Sequence, residues 1–347
     1  CFPSGGVWGV AWRALVPLLI SADEDAPGAA FLRGYAAGFF FFLATLFWIH
    51  HVTTLGLVLL SAYLALYWAV FSAGAAWFSR RGLGTKTLFL ALLWAALEYL
   101  RSVLFSGFGW AALAHTQTAN ILFIQAADIT GTYGLSAIIV GASVVTAAGI
   151  KGFLRREKPF LGFDIAAWGM ALVLVVVLVY GAVSLNISPV SAKARVALVQ
   201  ANVSLADHAD PGLKPYVVEK HLALSREALK GNPRLIIWPE TAFPQFIWEY
   251  PALFEKVKDF ARENKVRLLL GAVTRTGEEY FNSALIIDEM GIVGRPYQKQ
   301  HLVLFGEYIP LRAQPPALES RVPIDDFTAG EEGVLFHGKY LYEPNSG

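Results

Sequence analysis

Three charged side chains stand where a chain could use them for chemistry: Glu240, Lys299 and Glu307. Glu240 closes the run LIIWPE within residues 234–244, directly after four apolar residues. Lys299 and Glu307 lie in YQKQHLVLFGEYIP, residues 297–310, past a second apolar run. A carboxylate in a dry, apolar pocket has a raised pKa and can take a proton from a thiol. A lysine beside two carboxylates stays charged and can stabilise a developing oxyanion. Taken singly, each stretch also fits a solvated loop carboxylate or a surface ion pair, because charged residues are mostly exposed.

The elements that must position these groups alternate between two periods. Residues 196–199, 235–238 and 268–273 read as short buried strands. Residues 216–229 and 251–264 carry helical spacing with charges between the apolar positions. Residues 284–287 and 292–297 read as a hairpin around Glu289-Met290-Gly291. Strands alternating with helices predict an α/β layered domain over 194–347, in which functional groups gather at the carboxyl ends of strands.

Residues 1–187 have a different texture. Over the whole chain apolar residues make up 55% and charged residues 16%, against about 45–50% and 25% in soluble domains. Residues 55–78, 133–150 and 165–187 hold no charged side chain. A bilayer core needs about 20 helical residues, so these read as membrane spans. Residues 34–49 and 88–105 read as further spans, and 7–20, which holds Arg13, as a sixth and shorter one. Basic residues mark cytoplasmic loops: Arg80, Arg81 and Lys86 in one, Lys151, Arg155, Arg156 and Lys158 in another. Two spans separate these loops, so their sides agree. The sixth span then runs outward, and everything after the linker 188–193 is expected outside the cytoplasm. The net charge of +1 gives no argument for a nucleic-acid partner. The single cysteine, Cys1, excludes an internal disulfide.

The order VALVQANV, LIIWPETAFP, YFNSALII, YQKQHLVLFGEYIP, behind an outward-facing membrane part, resembles the apolipoprotein N-acyltransferases, membrane members of the nitrilase (carbon–nitrogen hydrolase) superfamily. The strings WPE (238–240) and KQHLVLFGE (299–307) carry most of the resemblance. GGVWGVAWRALVPLL (5–19) and LEYLRSVLFSGFGW (97–110) extend it into the membrane part. The resemblance implies a multi-pass helical bundle followed by an αββα nitrilase-like sandwich domain, incomplete here. It implies Glu240 as general base, Lys299 as the stabiliser of the tetrahedral intermediate and Glu307 as a supporting carboxylate. Asn282 matches a Tyr-Asn pair before the lysine strand, and with Phe243, Phe246 and Trp248 it is expected at the substrate. The loop 242–248 is expected to dip toward lipid.

The implied reaction has two steps: a cysteine thiolate takes an acyl chain from a phospholipid, and the α-amino group of a diacylglyceryl-cysteine apolipoprotein then takes it from the thioester. Neither cofactor nor metal is implied. The implied place is a bacterial cytoplasmic membrane with the C-terminal domain on the periplasmic side. The cysteine itself is missing: after residues 327–339 the sequence reads YLYEPNSG, and Leu341 is no nucleophile. A chain cut at both ends, inactive as it stands, is the expectation. Cys1, before FPSGG, reads as a residue at a cut end. A membrane-tethered amidase or nitrilase, and a non-catalytic membrane binding protein with a degenerate nitrilase domain, are the alternatives.

Four other features need placing. Glu98 and Arg101 share one face of a predicted span, and two readings stay open, inward-facing function or intrahelical pairing. His50-His51 reads as interfacial, not metal-ligating. Lys214-Pro215-Tyr216 stands where the family has a lysine-tryptophan pair, so a lipid contact there is in doubt. Leu304 replaces a usual proline.

Overall fold

The computed structural model describes residues 7–51, 53–156, 161–187, 194–204, 207–208, 210–243, 246–303, 307–308 and 327–336. Cys1, the linker 188–193, Leu304 and residues 337–347 lie outside these. The chain divides into two compact units, Cys1–Ser188 and Pro189–Gly347.

In the first unit the apolar runs become helices: α1 (Ala11–Ala14), α2 (Val16–Ala22), α3 (Pro27–Thr45), α4 (Thr54–Trp77), α5 (Leu83–Val103), α6 (Ile121–Ile124), α7 (Ala127–Leu154) and α8 (Leu161–Asn186). Five of them, α3, α4, α5, α7 and α8, are long and apolar enough to cross a membrane. The expected span over 7–20 falls on a shorter apolar stretch. The apolar stretch Trp8–Ala22 is short, and α1 and α2 break at Leu15, with Pro17 in the first turn of α2. A proline cannot donate to the turn before it, so it begins a helix more readily than it continues one. Inside α7 the helix is interrupted at Gly131, whose φ of 63° suits glycine, and the uninterrupted apolar run starts beyond it.

The unit packs mainly through α3 against α4 and α5 against α7. Phe71, Leu90 and Val140 are fully buried in one cluster, Phe42 and Leu64 in another. Charges gather at one end. Asp23 pairs with Lys86 and Lys151, and Glu24 with Arg155 at 2.7 Å. The acidic stretch after α2 therefore meets the basic groups from the start of α5 and the end of α7. Toward the opposite end, Tyr180 on α8 donates to Asp128 near the start of α7 at 2.6 Å, which fixes these two helices as antiparallel.

The second unit is a five-stranded sheet in the order β1 (Val196–Leu198), β2 (Leu235–Ile237), β3 (Arg267–Thr276), β4 (Glu279–Ile287), β5 (Tyr297–Gln298). β1, β2 and β3 run parallel, and the β3–β4 and β4–β5 pairs are antiparallel. Parallel neighbours need a crossover helix. α9 (Lys214–Ala228) supplies the first and α10 (Pro251–Asn264) the second. One core joins them to the sheet, with Leu222 of α9, Val257 and Phe260 of α10, and Ile236, Leu268 and Leu285 of the strands all buried.

The expected hairpin around Glu289-Met290-Gly291 is present, with Ile287 bridging Val293 and Ala284 pairing with Tyr297, and a longer one that the sequence did not show precedes it. The long hairpin is β3–β4, turned at Gly277-Glu278 and paired from Leu268↔Ile287 to Thr276↔Glu279. Residues 288–291 do form a turn, but beyond it only Val293 bridges back to Ile287 before β5 pairs with Ser283 and Ala284.

Candidate active site

Glu240 follows β2 by three residues, and its loop is held tightly against β3. Trp238 N donates to the Leu269 carbonyl at 2.8 Å, Gly271 N to the Pro239 carbonyl at 3.2 Å, and Phe243 N to the Gly271 carbonyl at 3.0 Å. A Cβ at Gly271 would stand 2.4 Å from Thr241 N and 2.7 Å from Glu240 Cα. Only glycine lets the loop come this close. Thr241 completes the turn in a left-handed conformation, φ 49°, and His208 Nε2 lies 2.9 Å from its carbonyl oxygen. Lys214, fully buried, donates to the His208 carbonyl at 2.5 Å. The stretch that sequence matching left in doubt as a lipid contact thus braces the Glu240 loop from behind.

Asn282 lies on β4, opposite Val273 of β3. Lys299 follows β5 directly, and its N–H donates to the Asn282 carbonyl at 2.8 Å. Glu307 N donates to the Val303 carbonyl and Val303 N donates to Glu307 Oε2, both at 2.8 Å. The four side chains meet. Lys299 Nζ lies 3.0 Å from Glu240 Oε1 and 3.1 Å from both oxygens of Glu307. Asn282 Nδ2 donates to Glu240 Oε1 at 2.7 Å and to Glu307 Oε1 at 2.6 Å. Asn282 is 6% exposed. The Glu307 side chain is 12% exposed, that of Lys299 26% and that of Glu240 63%, so the cluster opens to its surroundings at Glu240.

The electrostatics follow from this contact. The hydrogen bond from Lys299 is the largest influence on Glu240 and holds its carboxyl below the usual range; burial opposes this and the Asn282 bond adds to it. The expected upward shift in a dry pocket is therefore corrected, because the pocket supplies a cation. For Lys299, burial is the largest single influence and lowers its pKa. The bonds to Glu240 and Glu307 outweigh burial, so the ammonium titrates above the ordinary lysine range. The arrangement is a charged lysine clamped between two carboxylates, a donor poised for negative charge beside a base that is ionised across the neutral range.

The apolar loop splits. Phe243 was expected at the substrate, but it is fully buried in the domain core, edge-on to Phe254 at 5.6 Å. Phe246 and Trp248 lie outward and stack at 4.6 Å, with Tyr280 5.4 Å from Phe246 and 6.1 Å from Trp248. Tyr280 is two residues from Asn282 and so shares its face of β4. The sequence signal for Gly271 was an isolated glycine in a strand run, which marks a close backbone approach. Among the described residues no cluster of potential metal ligands occurs.

Residues 1–145 match the family model described as the apolipoprotein N-acyltransferase N-terminal domain, and residues 195–338 match the carbon–nitrogen hydrolase model. An apolipoprotein N-acyltransferase of Geobacter metallireducens is 37% identical over 350 residues, covering 95% of this chain. The chain belongs to the apolipoprotein N-acyltransferase family. A second family member, from Allorhizobium ampelinum, is 31% identical over 303 residues and covers 81% of this chain. The chain spans 66% of the Geobacter protein's length and 56% of the Allorhizobium protein's. Likeness to solved structures is slight: an amidase from Nesterenkonia sp. gives a TM-score of 0.29 at 21% identity, over 41% of this chain and 50% of the amidase.

Proposed function

We propose that this chain carries the base and the oxyanion-stabilising lysine of a phospholipid-dependent apolipoprotein N-acyltransferase. The observation that carries the reading is the meeting of Lys299 with Glu240 and Glu307, bridged by Asn282. In the first step Glu240 takes the proton of a cysteine thiol, and the thiolate attacks the ester carbonyl of a phospholipid. The oxyanion forms beside the Lys299 ammonium, the C–O bond breaks, and the lysophospholipid oxygen leaves with the proton from Glu240. In the second step the neutral α-amine of a diacylglyceryl-cysteine apolipoprotein attacks the thioester. The amide forms, the thiolate leaves, and Glu240 takes the surplus proton of the amine. Glu307, held by Val303 N and Asn282, keeps the lysine aimed. Phe246 and Trp248 present the aromatic surface an acyl chain would follow.

The lipid donor gives the architecture its reason. Drawing a chain out of a bilayer costs about 0.8 kcal/mol per CH₂, so the reaction belongs at the surface of a membrane that the preceding helices span. The basic groups gathered at one end of the helical unit support a cytoplasmic membrane with that end inward and the catalytic unit on the periplasmic side.

The sequence has one cysteine, Cys1, which the resemblance does not match to the nucleophile. This 347-residue polypeptide is therefore expected to form no thioester alone. The test uses the polypeptide expressed from its native reading frame, with labelled phospholipid and a diacylated lipopeptide. N-acylation is expected, falling about 10²–10³-fold in Lys299→Met, the scale of a lost oxyanion donor. Turnover of small amides without acyl transfer to the lipopeptide would overturn the reading, as would protease protection of the second unit in spheroplasts.

A further inference from the structure

Lys214 is fully buried, and the reaction above does not use it. It opens α9, in a unit where a lysine is almost never enclosed without a partner. Among the described residues its ammonium meets one partner, the backbone carbonyl of His208. Burial pulls its pKa below the ordinary lysine range, and Asp210 and Glu249 offset part of that. What this costly contact fixes is the turn at His208.

That turn is held from three directions. Ser204 Oγ accepts from Asp207 N at 3.1 Å, the Ser204 carbonyl accepts from His208 N at 2.9 Å, and Lys214 takes the His208 carbonyl. Both polar groups of the His208 backbone are thus engaged, and the direction of its ring is set. Nε2 lies 2.9 Å from the Thr241 carbonyl oxygen. A carbonyl only accepts, so Nε2 carries the proton and donates. The other ring near it, His221, is buried, and burial lowers its pKa; its Nδ1 lies 2.8 Å from the Val217 carbonyl.

Thr241 directly follows Glu240. It is β-branched and left-handed, φ 49°, a conformation such residues rarely adopt. Strain of this kind persists only where the surroundings over-determine it. Before Glu240 the loop is tied by Trp238, whose Nε1 donates to Ser225 Oγ at 2.9 Å. After it, among the described residues, the Thr241 carbonyl is held by His208 alone. The Glu240 side chain is 63% exposed, so little packing aims it, and the aim falls to its backbone.

We propose that His208 and Lys214 are positioning residues for the base: His208 pins the Thr241 carbonyl, Lys214 pins His208, and together they keep Glu240 within reach of Lys299. The proposal rests on the reading of Glu240 as the base. The test uses the protein expressed from its native reading frame. It follows the Glu240 carboxylate by infrared difference spectroscopy against Glu240→Gln, beside the acyl-transfer assay. In His208→Leu the Glu240 titration is expected to move upward, because the carboxylate leaves Lys299 and Asn282. There kcat falls about ten- to a hundredfold, with KM for phospholipid unchanged. Lys214→Met, which keeps the volume and removes the donor, gives the same pattern. His208→Gln, whose amide can still donate to Thr241, returns most of both. A Glu240 titration unmoved in His208→Leu and Lys214→Met overturns the proposal. So does a fall in thermal stability alone, with kcat per folded molecule intact. The titration reads the pinning of Glu240 even where no acyl transfer is seen, and that outcome would count against the catalytic reading by itself.

Discussion

At the scale of single residues, the pair Glu240–Lys299 sets the pH behaviour. Glu240 titrates below its ordinary range because Lys299 lies 3.0 Å away. Its contribution to stability is present above the unfolded carboxyl pKa and is lost as pH falls through the depressed folded value. Lys299 titrates above its ordinary range. Its contribution is present below the unfolded lysine pKa and is lost as pH rises through the raised folded value. The pair thus survives from mildly acid to strongly alkaline conditions. In Lys299→Met the acid titration of Glu240 is expected to move upward toward the ordinary glutamate range, followed by infrared or NMR detection of the carboxylate. An unmoved titration would mean that the lysine is not what holds it down. The three charged members of this cluster were legible only together, through the order of the motifs that carry the family resemblance, since each stretch alone also fits a solvated surface group. The direction of the Glu240 shift was not, since it depends on a contact between positions 59 apart in the chain. Nor was the fate of Phe243: an apolar residue after a strand reads alike whether it turns outward or, as here, back into the core.

At the scale of elements, β3 is the member that sets the site. It carries Gly271 under the Glu240 loop and pairs along its length with β4, which carries Asn282. In Gly271→Ala the new methyl meets backbone, which cannot swing aside as a side chain can. Overpacking of this kind costs about 1–3 kcal/mol. A displacement of Glu240 near 1 Å is expected to lower turnover about a hundredfold. Gly231→Ala, where nothing lies within 4 Å, is the control, and thermal unfolding with an acyl-transfer assay reads both. Wild-type turnover in Gly271→Ala would show that the loop has room to spare. Period and length made both crossover helices legible, and α10 runs over the expected residues, Pro251–Asn264. The β3–β4 hairpin was missed because Thr274, Arg275 and Thr276 are polar, so the strand outlasts the apolar run by which it was recognised.

At the scale of the whole molecule, five spans were legible because each is a long uncharged or nearly uncharged run. What the run over 7–20 did not show is the break at Leu15 and the helix start at Pro17, which act over single residues within a stretch of suitable composition. The ionic cluster at one end of the helical unit has its own prediction. Lys86 is 7% exposed and pairs with Asp23, which also takes Lys151. Removing one partner of a buried pair costs about 3–5 kcal/mol, because the other charge stays behind uncompensated. Asp23→Asn is expected to lower thermal stability in detergent by that amount, and Glu24→Gln, at a more exposed position, by far less. Equal effects would mean that the cluster is no more than a solvated rim.

The last apolar helix, α8, meets α5, α6 and α7 and still leaves most of its residues uncovered. Only 11% of its apolar window is covered by protein, although it is the most hydropathic of the five. Its firmest seat is Gly181, packed so near Leu122 that a methyl would fall 2.0 Å from a backbone oxygen. Among the described residues most of the surface of α8 is thus left for hydrocarbon to cover, while α5, α6 and α7 hold the rest. A solubilising agent that thins this sheath should loosen α8 while α3, α4, α5 and α7 stay docked, so micelle chemistry would govern how faithfully any extracted preparation keeps its native shape.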